Sequence, residues 1–173
     1  LFQQLAGTLV ETLNGLGVTK IVTCDPHALN SLRNEYPEFG GHYEVVHHTQ
    51  LIAELMAQGR IRVERGLEKV IYHDPCYLGR HNGEFDAPRK VLERITRDAP
   101  MEFPLNRKKA MCCGAGGGRM WMEETIGTRI NVTRYEQALP QSPQVIATGC
   151  PYCAVMMTDA VAAVSGEGGP RTR

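Results

Sequence analysis

The stretch Lys69-Val-Ile-Tyr-His73-Asp-Pro-Cys76 decides how this chain is read, because an apolar β-rich run, Lys69 to His73, ends in a polar turn that carries a cysteine. Downstream, Ala87 to Thr96 has helical period, with Pro88 in the first turn where its missing N–H leaves no helical bond unmade. The same order recurs near the other end: Gln144 to Thr148 reads as a strand, Cys150 follows it, and Ala154 to Val164 reads as a helix. Lys20 to Thr23 and Tyr43 to His47 are further strands, while Phe2 to Leu16, Ala28 to Glu35, Leu51 to Gln58 and Glu123 to Ala138 are helical. Gly17 and Gly59 suit helix C-terminal caps. Short apolar runs alternating with helices predict an α/β fold, a parallel sheet flanked by helices.

At 173 residues, 42% hydrophobic and 22% charged, the chain is long and apolar enough for one core, or slightly more than one. Its 19 Lys and Arg balance 19 Asp and Glu, which removes the basic footprint of a nucleic-acid or anionic-membrane binder. The most apolar run, Cys153 to Val164, is broken by Thr158 and Asp159 and is too short to span a bilayer. Residue 1 is Leu, and the chain is read as a piece of a longer protein whose upstream parts lie outside it. Ser165 to Arg173, rich in glycine, is expected to be a mobile tail, and the basic run Arg107, Lys108 and Lys109 a solvated surface.

Shifting the chain by 125 residues lays Ile21, Thr23 and Pro26 on Ile146, Thr148 and Pro151, a partial internal repeat. In that register Asp25 stands opposite Cys150 and Ala28 opposite Cys153, so the earlier copy lacks the cysteine pair, and Cys24 is out of register by one.

Five of the six cysteines form one pattern: Cys76, the adjacent Cys112 and Cys113, then Cys150 and Cys153 in a C-P-Y-C loop. A C-x-x-C loop brings two thiolates to one soft metal centre. Adjacent cysteines diverge, which favours a polynuclear centre over a lone ion. Cys76 and Cys150 both follow predicted strands, and loops beyond the carboxyl ends of parallel strands form the binding crevice of such folds. Gly114, Gly116, Gly117 and Gly118 leave backbone amides free to approach the sulfur atoms. A structural zinc site, a dithiol redox pair and a set of disulfides are the competing readings. The glycine run departs from G-x-G-x-x-G at Arg119 and speaks against a dinucleotide loop.

His73 and His81 flank Cys76 and are candidates for hydrogen bonding or proton transfer at the centre. His47 and His48, with Asp25 and His27, are a candidate small metal site. Trp121 is read as a buried lid, and Glu123 and Glu124 as acids opening a helix. No Ser-His-Asp signature, H-E-x-x-H or calcium loop is present.

The pattern Cys76, Cys112-Cys113-Gly114, Cys150-Pro151-Tyr152-Cys153 resembles the cysteine-rich CCG domains found in the B-type and D-type subunits of heterodisulfide reductases and in the iron–sulfur subunits of glycolate and lactate oxidases. The strings HDPCYLGRHNGEFDAPRKVL, from His73, and CCGAGGGRMWMEE, from Cys112, most resemble bacterial membrane-linked iron–sulfur oxidoreductases. The resemblance implies a Rossmann-like domain with a complete repeat over 59–164 and the end of a degenerate repeat over 1–58, which leaves 165–173 as the flexible tail read from composition. It also implies a non-cubane 4Fe-4S cluster held by Cys76, Cys112, Cys113, Cys150 and Cys153, with Gly114 and Gly116 beside it. Cys24 and His27 stand near the missing cysteines of the first copy. The implied function is an electron relay between an electron-transferring flavoprotein and a quinone or membrane cytochrome. A catalytic disulfide reductase centre is the related alternative. The implied location is the cytoplasm, at the inner face of a membrane reached through upstream segments, with this stretch inactive alone.

Overall fold

A computed structural model of the chain describes every residue except 65 and 68. Its elements are α1 (Phe2–Gly15), β1 (Lys20–Thr23), α2 (Pro26–Asn30), β2 (Glu44–His47), α3 (His48–Ala57), β3 (Val70–His73), α4 (Asp86–Ile95), β4 (Met101–Glu102), α5 (Ile130–Glu136), β5 (Val145–Thr148), α6 (Pro151–Ser165) and β6 (Arg171–Thr172). All strands pair in parallel, β1 with β2 in one sheet and β4-β3-β5-β6 in the other. This is the α/β architecture expected from the alternating pattern, and it is Rossmann-like as the resemblance implies. Under the shift of 125 residues β1 falls on β5.

The central strands of the larger sheet, β3 and β5, are buried on both faces, so they read as continuous apolar runs. Val70 and Tyr72 of β3 and Val145 and Ala147 of β5 pack with Leu92 of α4 on one face. Their alternates, Ile71 and Ile146, face Tyr135, Met157, Ala160 and Val161 of α5 and α6 on the other. Full burial of each such side chain is worth ~1.5–3 kcal/mol, which is what holds the three helices against so small a sheet. Leu29 and Val45 from the first part of the chain close over Leu78, in the turn just after Cys76. The smaller sheet is thereby docked on the loop that carries the first cysteine.

Several local expectations are corrected. Helix α5 starts at Ile130 rather than Glu123, because Gly127 adopts φ +69° and interrupts the helical run. Glu123 and Glu124 therefore precede the helix, and Glu124 pairs with Arg119 at 3.6 Å. Helix α6 starts at Pro151, not Ala154, which places Cys150 at its N-cap. The tail expected to be mobile forms β6: Arg171 N donates to Gln144 O at 2.9 Å, and Thr148 N to Arg173 O at 2.8 Å. These bonds are backbone to backbone and use the open edge of β5, so side-chain composition does not announce them. Gly17 and Gly59 adopt φ +67° just beyond α1 and α3, as C-terminal caps do.

His47 joins the two halves of the molecule. Its ring is fully buried, with Nε2 2.9 Å from Gly149 O and Nδ1 2.7 Å from Thr49 Oγ1. A carbonyl only accepts, so Nε2 carries the proton and Nδ1 accepts from the threonine hydroxyl. Burial, then the neighbouring His48, push its pKa down to about 4. The unfolded chain takes up this proton near pH 6.5 and the folded chain does not until about pH 4, so folding is weakened as pH falls through that window. The expected loss is ~3 kcal/mol between pH 6.5 and 4. Urea unfolding at several pH values measures it, and His47→Gln is expected to flatten the dependence.

Candidate metal centre

The five cysteines of the sequence pattern meet at the carboxyl ends of β3 and β5, where the strand order of the larger sheet reverses. Chain leaves β3 toward the β4 side and β5 toward the β6 side, opening a crevice between them. Cys76 follows β3 through Asp74 and Pro75 and lies half-buried, as does Cys112, whereas Cys113, Cys150 and Cys153 are buried. None of the six cysteines forms a disulfide.

The thiols interact in an unbroken chain, Cys76 with Cys112, Cys112 with Cys113, Cys113 with Cys153, and Cys153 with Cys150. Their acidities split accordingly. Cys112 is driven far down, because Cys113 and Cys76 donate to its sulfur and the amides of Gly114 and Gly116 add to them. Gly114 N lies 3.3 Å from Cys112 Sγ, and Gly114 reaches that position at φ +93°, a conformation open to glycine. Cys76, whose strongest neighbour is that same Cys112 sulfur, is driven far up, and Cys113 is pushed up to about 11. Cys150 is lowered to about 7, first by Cys153 and further by the amides that open α6. One thiolate is favoured and the next is resisted, so the five sulfurs ionise together only around positive charge. Soft, crowded and partly buried, the donor set suits a polynuclear thiophilic centre.

Close packing and buried charge pairs hold the loops. Gly79 stands in the turn after Cys76, and an added Cβ there would lie closer to Phe85 Cε1 than two non-bonded carbons can approach. Gly79→Ala is expected to cost ~1–3 kcal/mol by overpacking, read as a lower urea midpoint with an unchanged slope. Asp74, two residues before Cys76, receives both terminal nitrogens of Arg89 at 2.8 Å and the amide of Arg107 at 2.8 Å. Arg89 also donates to Glu102 from Nε at 2.6 Å and Nη2 at 2.8 Å. The sequence reading missed this network; Asp74 and Arg89 are ordinary charges there, and only α4 packing on β3 and β4 brings them together. It missed Arg134 as well, a fully buried arginine of α5 whose Nε lies 3.1 Å from His73 Nδ1.

Other candidates fall at different distances from the thiols. His73 is fully buried, and one donor atom each of His73, Cys113 and Cys153 lie within 4.8 Å of one another. His81 is exposed and stacks on Tyr77 at 4.3 Å between ring centroids. Cys24 is exposed. The candidate grouping of His47 and His48 with Asp25 and His27 is not formed, since both ring nitrogens of His47 are engaged elsewhere. Asp25 and His27 instead lie beside Cys150. Asp25 caps α2, its Oδ1 accepting from His27 N at 2.9 Å and lying 3.0 Å from His27 Nδ1. The His27 ring rests between Tyr77 and Tyr152 at 4.2 and 5.1 Å. Trp121 is 75% exposed, so it is no buried lid; it lines an open cavity of about 250 Å³ with His27, Gly117, Met120 and Tyr152.

Fold and donor set together define a class, an α/β domain whose switch-point crevice is lined by cysteines. Residues 70–158 match the cysteine-rich domain family CCG, and the chain belongs to that family. It is 49% identical over 168 residues to the probable iron-sulfur-binding oxidoreductase FadF of Bacillus subtilis, an alignment covering 96% of this chain and 24% of that protein. It is 43% identical over 175 residues to the EtfAB:quinone oxidoreductase of Syntrophomonas wolfei, covering 96% of this chain and 24% of that protein. A subunit of the dihydromethanophenazine:CoB–CoM heterodisulfide reductase of Methanosarcina barkeri is 32% identical over 161 residues, 91% of this chain and 39% of that protein. The chain thus spans about a quarter of the first two relatives.

Proposed function

We propose that Cys76, Cys112, Cys113, Cys150 and Cys153 hold a non-cubane 4Fe-4S cluster, and that the domain relays electrons as one component of a larger oxidoreductase. The observation that carries this is the convergence of five mutually interacting thiols from three remote segments, with two backbone amides on Cys112. A lone tetrahedral zinc takes four ligands and leaves one of these sulfurs over. When bound, such a cluster supplies reversible one-electron transfer at a potential set by charge, hydrogen bonding and burial. This chain's residues set those terms. The Gly114 and Gly116 amides support negative charge on Cys112, the start of α6 supports Cys150, and Phe103, Tyr135, Met156 and Met157 exclude water beneath them.

Residues 59–164 form the complete repeat in this proposal, and 1–58 the end of a degenerate one. Asp25 and Ala28 stand where a second C-P-x-C pair would be, which favours relay through one cluster over disulfide cleavage between two. The donor we propose is an electron-transferring flavoprotein and the acceptor a quinone or membrane cytochrome, carried by parts of the assembly beyond this stretch. Among the described residues no helix is long and apolar enough to cross a membrane, so a position at the cytoplasmic face would depend on other segments. Iron, zinc and acid-labile sulfide per chain, measured on protein prepared without oxygen, test the proposal. About four irons with matching sulfide are expected. Roughly one zinc without sulfide, persisting after anaerobic reconstitution, would replace the relay with a structural module.

A further inference from the structure

His73 ends β3 fully buried beside Cys113 and Cys153, and a buried imidazole with two thiols has the composition of a metal-ligand set. Its contact with Arg134 argues for a different role. Arg134 Nε lies 3.1 Å from His73 Nδ1. A guanidinium carries five N–H donors and no acceptor, so this hydrogen bond has one direction: Arg134 donates, and Nδ1 holds the lone pair. The neutral ring then carries its proton on Nε2. That atom is buried and has no hydrogen-bond partner among the described residues. A buried N–H without an acceptor is costly, so a group that accepts from it is expected in the loaded protein.

Arg134 is itself held in place. Its Nη1 donates to Leu105 O at 2.9 Å and to Gln137 Oε1 at 2.8 Å, and its guanidinium lies 3.7 Å over the Phe103 ring. Nη2 has no hydrogen-bond partner, and no carboxylate forms an ion pair with this cation among the described residues. An unpaired positive charge therefore lies behind the ring, on the side away from its free N–H.

We propose that His73 donates a hydrogen bond from Nε2–H to sulfur at the centre held by Cys113 and Cys153, and that Arg134 is the positioning residue that fixes this tautomer. His73 is then a donor to sulfur and not an iron ligand. The inference rests on the cluster reading above. Both the N–H and the buried cation favour the more negative, reduced state, so the pair raises the reduction potential.

The test uses protein labelled with ¹⁵N-histidine and loaded with iron and sulfide without oxygen. Pulsed electron paramagnetic resonance of the wild type is expected to show one weakly coupled histidine nitrogen and one exchangeable proton. Both signals are expected to vanish in His73→Leu, with iron and sulfide content retained. The equilibrium constant for cluster reduction is expected to fall about tenfold in that variant, or ~59 mV for one electron. Arg134→Gln removes the charge and frees the tautomer, and is expected to lower the potential and weaken the proton coupling without changing iron content. Strong coupling typical of a directly bound nitrogen, with iron lost in His73→Leu, would overturn the donor role. An unchanged potential in both variants would overturn it too. Because the couplings are read on the wild type, a variant that fails to fold leaves the proposal exposed to refutation. A wild type that takes up no iron would instead defeat the cluster reading beneath it.

Discussion

Cys153→Ser protein, reconstituted with iron and sulfide without oxygen, is expected to lose the centre, with iron and sulfide per chain at least about tenfold below wild type. Cys153 is 2% exposed in the first turn of α6 and touches both Cys113 and Cys150, so it links the glycine loop to the C-P-Y-C loop. A serine hydroxyl is a hard, weakly acidic donor, and thiophilic iron gains little from it. Cys24→Ser is the control. That side chain is exposed and outside the chain of interacting thiols, and iron content is expected to stay at the wild-type level. Iron and sulfide assays with the visible spectrum measure both variants. An unchanged iron spectrum in Cys153→Ser would contradict the assignment.

Asp74→Ala is expected to be the most damaging substitution outside the thiols, costing ~3–5 kcal/mol in urea unfolding of the metal-free protein. The carboxylate is 3% exposed and Arg89 8% exposed, and they meet in a two-point contact with 2.8 Å on each arm. Removing the carboxylate strands the arginine with only Glu102, itself 37% exposed, to balance it, and strips the Arg107 amide of its acceptor. Replacing both partners, Asp74→Leu with Arg89→Met, is expected to recover much of the loss, because paired removal leaves no buried charge behind. A cost below ~1 kcal/mol for Asp74→Ala would show that water reaches the pair.

Much of this organisation is legible in one dimension. Strand β1 matches the run read from the sequence, and β2, β3 and β5 each start one residue inside theirs, because β-branched and aromatic clusters between turn residues report local burial. The correspondence of β1 with β5 is written in Ile21, Thr23 and Pro26 against Ile146, Thr148 and Pro151. Less legible were the segments where local and distant forces compete. Met122 to Arg129 has helical neighbours, yet Gly127 turns left-handed and ends the run. Trp121 has the composition of a core residue, but the glycines before it swing it into solvent.

The α/β class and the family are already written in the amino acids, through a cysteine pattern whose spacing fits loops after parallel strands. These are properties of neighbouring residues, set by backbone geometry and side-chain periodicity. It took the packed fold to bring Arg134, 61 residues from His73, to its Nδ1, to set Arg89 between Asp74 and Glu102, and to extend the sheet with the last residues. A charged residue on a helix carries no mark of the face it will bury. That is settled when α4 and α5 pack on opposite sides of β3, and each polar group taken from water must find its partner there.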